Sequence, residues 1–170
     1  TSVAAAKVSG LLALMQGFFS VNYSRTNKPA LNKALLINRA RTASPVYDTA
    51  VNNFVSHQGW GMPSLSNTLP TTTAFAYLTN TATPVTARIV AIEESAYITN
   101  RLASGQFQAF NVTVPGSATS QTNTLRITLA WTDPPGNPVS STKLVNDLDL
   151  YVTNVVPAGV IGREFEGNNI

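Results

Sequence analysis

The sequence predicts an α+β chain in which two apolar helices precede an antiparallel β-sandwich. Three observations carry that reading. Small and apolar residues run almost unbroken from Ser2 to Phe19. Pro29 opens a second segment with helical spacing. From about residue 74 the apolar residues recur at every second position, the repeat of a half-buried strand.

The elements follow in order. The first helix is read from Ser2 to about Phe19, ended by Ser20-Val21-Asn22. It is apolar on nearly every side, which predicts burial. Lys7, Ser9, Gly10 and Gln16 interrupt it, so no membrane span is expected. The second helix starts at Thr26-Asn27-Lys28-Pro29, with Pro29 at the first helical position. Leu31, Ala34, Leu35 and Asn38 then share one face. Residues 41–70 read as irregular, with a turn at Gly59-Trp60-Gly61-Met62-Pro63 and a linker at Leu69-Pro70-Thr71-Thr72-Thr73. Beyond it, strand alternation marks Phe110, Val112 and Val114, then Leu125, Ile127, Leu129 and Trp131, then Leu148, Leu150 and Val152. Pro115-Gly116 and Asp133-Pro134-Pro135-Gly136-Asn137 supply the turns between them. Several short strands at this spacing predict a sandwich of jelly-roll type. The expected division is a helical part over 1–70 and a β-sandwich over 71–170. Trp60 and Trp131 are read as core residues.

Composition limits the function classes. Hydrophobic residues make up 44% of the 170, enough for a packed core. Charged residues are 11%, about half the usual share, with Thr, Ser and Asn in their place. That style suits a secreted protein. Eleven basic residues against eight acidic ones give a net charge of +3, but the cations are scattered, and no nucleic-acid partner is expected. With no cysteine, disulfides, thiol catalysis and Cys-zinc sites are excluded.

Ser2 stands where a helix offers unpaired backbone N–H groups and its positive dipole end. It is either an ordinary N-cap or a nucleophile whose oxyanion that helix end stabilises. Lys7 lies five residues on and does not stack over Ser2, which disfavours a Ser-Lys pair. Thr1 acting with its own α-amino group would need a strand at this end, and the segment reads helical. His57, the one histidine, reads as a loop residue.

Thr1-Ser2-Val3-Ala4 followed by Val8-Ser9-Gly10 resembles the serine block of the subtilisin-like proteases (subtilases, peptidase family S8), Gly-Thr-Ser-Met-Ala-x-Pro-x-Val-Ala-Gly. Ala34-Leu35-Leu36-Ile37 and Gln58-Gly59-Trp60-Gly61 are similar to the segments that follow that block. Thr128-Leu129-Ala130-Trp131-Thr132-Asp133 and Leu144-Val145-Asn146-Asp147-Leu148-Asp149-Leu150 resemble the C-terminal β-domain of oxidatively stable alkaline subtilases. These resemblances fall in the family's order and cover most of the chain. They imply a secreted serine endopeptidase in which Ser2 attacks the peptide carbonyl. The backbone N–H of Ser2 and an Asn side chain would then form the oxyanion hole. Two departures stand out: Ala6 occupies the usual Pro position, and Lys7 follows it.

Subtilases order their triad Asp, His, Ser, so the resemblance places the base and its partner ahead of Ser2, outside this sequence. The expectation is therefore a C-terminal part of the protease, inactive alone, whose helices are left over from the α/β catalytic domain. Val8, Leu11, Leu12, Leu14, Met15, Phe18 and Phe19 would then lack the sheet that covers them, which predicts self-association. The alternative is a non-catalytic β-sandwich module that binds or stabilises. Related C-terminal domains carry calcium, and Asp147 and Asp149 are its candidate ligands here, with Asp133, Glu164 and Glu166 near them in sequence. No organic cofactor is implied.

Overall fold

The computed structural model describes residues 2–43, 59–69, 75–78, 89–93, 102–113, 125–156 and 160–167. Helix α1 spans Ser2–Tyr23, one turn beyond the sequence reading. The extra turn is held by the Asn22 amide, which donates to the Phe18 carbonyl at 2.9 Å, and by packing of the Tyr23 ring. Ser24, at a φ of 50°, then turns the chain, and the Arg25 N–H returns to the Phe19 carbonyl. Helix α2 spans Pro29–Asn38 and does begin at Pro29. Lys28 precedes it without a side-chain cap, and its backbone N–H donates to the Glu93 carboxylate at 2.6 Å. A single turn, α3, covers Leu65–Thr68.

Strands β1 (Phe75–Tyr77) and β2 (Ile89–Ala91) pair in parallel, with Phe75 opposite Ile89 and Tyr77 opposite Ala91. Strands β3 (Tyr151–Val156) and β4 (Val160–Glu166) form an antiparallel hairpin with an irregularity between Thr153 and Val155. The described residues are thus a mixture of helices and small sheets. The β1–β2 pair departs from the antiparallel expectation. Parallel strands are stable where helices cover them, and here α1 and α2 do so.

The core shows why. Met15 and Phe19 of α1, Leu31, Leu35 and Leu36 of α2, Phe75 of β1, and Ile89 and Ala91 of β2 form one buried cluster. On α1 the stripe Val8-Leu12-Met15-Phe19-Tyr23 has helical spacing and faces this cluster. Phe19 lies 5.1 Å from Phe75 and Phe75 lies 4.8 Å from Tyr77, measured between ring centres. A chain of side-chain hydrogen bonds edges the cluster. Tyr77 donates to Asn27 at 2.6 Å, Asn27 donates to Asn32, and Asn32 donates to Gln16. Burial pushes the Tyr77 phenol up to about 12, so it remains a donor, while the Arg25 guanidinium lies 4.3 Å over its ring.

Helix α1 is not buried all round. Val3, Leu14 and Val21 are exposed, and Ser2 to Lys7 stand clear of the core. The all-round burial expected of this helix is therefore corrected to burial of one stripe. The expectation of no membrane span rests on the interruptions at Lys7, Ser9, Gly10 and Gln16. By length and composition α1 is apolar enough to cross a membrane, with a mean hydropathy of 1.4. The same property suits a leader sequence or a core helix. Met15 and Phe19 use α1 in the last way, packed on this chain's own α2 and β1.

The segment Leu125–Trp131, expected as a strand, lies outside the described ladders. Residues 110–113 form no regular strand either. The Arg126 guanidinium donates to the Asn38 and Ala40 carbonyls at 3.0 Å each, where α2 ends with unpaired acceptors. Asn38 answers by donating to the Arg126 carbonyl and the Thr128 hydroxyl. This clasp turns Arg126 and Thr128 toward α2. Because side chains alternate, Leu125, Ile127 and Leu129 are directed outward and are 49%, 42% and 41% exposed. The sequence reading placed them inward; the polar clasp explains the reversal. Arg126→Ala is expected to lower stability by about 1 kcal/mol in urea unfolding. Arg126→Lys should restore only part of it, because an ammonium lacks the two-pronged guanidinium geometry.

Candidate functional site

Ser2 is the first residue of α1 and is exposed. Among the described residues no hydrogen bond reaches its hydroxyl, and no acidic residue occupies the first turn. What it has is the helix end itself, with unpaired N–H groups at the head of a 22-residue helix. That arrangement can stabilise an oxyanion but supplies no base. Lys7 is exposed on the same helix. Thr1, His57 and Gln58 lie outside the described residues.

Behind Ser2, α1 enters a groove that sequence reasoning missed. Val8 and Leu12 of α1, Leu36 and Ile37 of α2, and Trp60 and Pro63 of the following turn line an apolar space of about 470 Å³. The turn is pinned by reciprocal backbone bonds between Arg41 and Met62. Gly61 has a φ of 95°, and a Cβ there would lie 2.4 Å from the Arg41 carbonyl oxygen. Only glycine fits. The turn leaves Trp60 47% exposed, which corrects its reading as a core residue. A tryptophan between two glycines was the available signal. Trp131 is half-buried.

The proposed calcium ligands are placed as follows. Asp147 and Asp149 are exposed and alternate with half-buried Leu148 and Leu150, so both carboxylates share one outward side. The alternation read from the sequence holds over this stretch. Tyr151 continues the outward side and pairs across the hairpin with Glu166, whose carboxylate it meets at 3.4 Å. The charges of Glu166 and then Asp149 raise the Tyr151 phenol above its ordinary range. Among the described residues no group of three or more His, Cys, Asp or Glu side chains gathers as a metal site.

Asp133 has a different task. Its carboxylate accepts the Val145 N–H at 2.7 Å, the Asn146 N–H at 2.9 Å and the Asn146 side-chain amide at 2.8 Å. It thereby closes the base of the loop from Asp133 to Asn146. The Val145 bond, foremost, holds this carboxyl below the usual carboxylate range. Such a group stabilises the folded loop while ionised. The stabilisation is complete above the unfolded value, about 4, and is lost as pH falls through the lower folded value. The protection of the Val145 and Asn146 amides, measured against their intrinsic exchange rates at each pH, should therefore fall on acidification. Asp133→Asn should show the lower protection already at neutral pH, since its amide nitrogen cannot accept.

No family model, curated protein or solved structure matches the chain.

Proposed function

We propose that this chain is the C-terminal part of a secreted subtilisin-like serine endopeptidase and that Ser2 is its nucleophile. The observation that carries the reading is the position of Ser2. It heads a long apolar helix, and the order of motifs behind it resembles the subtilase order as far as Asp149. On this reading an upstream histidine takes the Ser2 proton and an upstream aspartate orients that histidine. The Ser2 N–H at the helix end helps to hold the oxyanion. The substrate is a peptide bond in a protein or peptide.

The division at 70/71 and the β-sandwich belong to the same proposal. The exposed side of α1, with Leu14 and Val21, has the pattern of a helix that packs on an upstream sheet, and until covered it favours self-association.

A serine-directed fluorophosphonate tests the reading. The 170-residue chain should remain unlabelled and hydrolyse no peptide. The longer protein encoded with the sequence ahead of Thr1 should label at Ser2. An upstream coding sequence without the Asp and His blocks would overturn the protease reading. It would leave the alternative, a β-sandwich module that binds or stabilises. Calcium at Asp147 and Asp149 is tested separately, by melting residues 1–170 in calcium and in chelator. Loss of any calcium-dependent shift in Asp149→Ala is the expected result.

A further inference from the structure

The loop from Asp133 to Asn146 contains an arrangement that the protease reading does not use. The Lys143 side chain folds back into it. Its ammonium donates to the carbonyl oxygens of Pro138 at 2.7 Å, of Asn137 at 3.3 Å and of Ser140. An ammonium has three N–H donors, and three acceptors meet it. The loop that carries the acceptors has hydrogen bonds of its own at Asn137 and Ser140. The Asn137 side chain accepts the Val139 N–H, the Ser140 N–H donates to the Asn137 carbonyl, and the Ser140 hydroxyl accepts the Thr142 N–H. Backbone packing closes the ring, since a Cβ on Gly136 would lie 2.1 Å from the Lys143 carbonyl oxygen. Asp133 clamps the two residues that follow Leu144.

Three converging carbonyl oxygens around one positive charge are the surroundings that a bare cation would require. All three contacts are neutral backbone oxygens, and no carboxylate is among them. Calcium sites draw on carboxylates, and magnesium keeps its waters, whereas rings of neutral carbonyls suit monovalent ions. We propose that the carbonyls of Asn137, Pro138 and Ser140 form a monovalent-cation cradle that Lys143 fills with its own tethered ammonium. The loop is thereby closed without a free ion. Emptying the cradle hands the site to potassium or ammonium from solution.

The test uses the 170-residue chain and its Lys143→Ala variant. Amide exchange of Ser140, Thr142, Val145 and Asn146 is followed in potassium chloride and, at equal ionic strength, in tetramethylammonium chloride, whose cation is too large to enter. The wild-type chain should exchange alike in both salts. The variant should exchange on the order of tenfold faster in tetramethylammonium, with potassium restoring most of the protection. A variant that exchanges alike in the two salts overturns the proposal. A second measurement covers the case in which the variant loop fails to form. In the wild-type chain the Lys143 ammonium protons should exchange with water more slowly than those of Lys7, because three carbonyl oxygens accept them. Equal exchange of the two ammonium groups also overturns it.

Discussion

On the proposed protease reading, Ser2→Ala in the longer protein is expected to abolish peptide hydrolysis, with kcat falling on the order of a million-fold. The size follows from how a triad works. The serine, its base and the base's partner act as one unit, so removing the nucleophile removes covalent catalysis entirely. What would survive is binding and the helix-end N–H groups, which leave a residual thousand-fold or so over water. KM should stay near the parent value, because Ser2 contributes little to ground-state binding. A variant that keeps its rate and loses only about 1 kcal/mol of stability would indicate a structural role instead. Measuring kcat, KM and the unfolding midpoint on one Ser2→Ala preparation separates the two readings of this residue.

The two helices were legible because each carries a local signal. Pro29 sets the start of α2, and α1 is an almost unbroken run of small and apolar residues, although which stripe of it is buried was not read from that run. The alternation from Asp147 to Val152 was legible for the same reason, although the ladder begins only at Tyr151. What escaped the sequence depends on partners distant in the chain. No local pattern announces that Arg126 caps a helix ending almost ninety residues earlier. Yet that bond decides which side of the Leu125–Trp131 segment faces out. The parallel pairing of Phe75–Tyr77 with Ile89–Ala91 is another long-range event, fixed by the shared core with α1 and α2. At the candidate site, the proposal for Ser2 rests on a motif and a helix start. The work of Asp133 and Lys143 was not legible, because both use backbone groups, which no residue type reveals.

Phe19→Ala and Leu14→Ala form the second decisive pair. Phe19 is fully buried, with its ring within 5.1 to 6.3 Å of Phe18, Tyr23, Phe75 and Tyr77. Truncation leaves a cavity at the centre of the buried cluster that joins α1, β1 and β2 among the described residues. The expected cost is about 3–5 kcal/mol, a large share of the 5–15 kcal/mol or so that stabilises a domain. A lower urea midpoint at unchanged slope is the measurement. Leu14 sits one position before Met15 but is 60% exposed. In the 170-residue chain Leu14→Ala should change stability by no more than about 0.5 kcal/mol. In the longer protein, where the proposed upstream sheet covers that side of α1, the same substitution should cost about 2–5 kcal/mol. The ratio of the two costs reads out whether the exposed side of α1 is a surface or half of an interface. A Leu14→Ala that is silent in both chains removes the covering sheet from the proposal. A Phe19→Ala that is silent would remove the core itself.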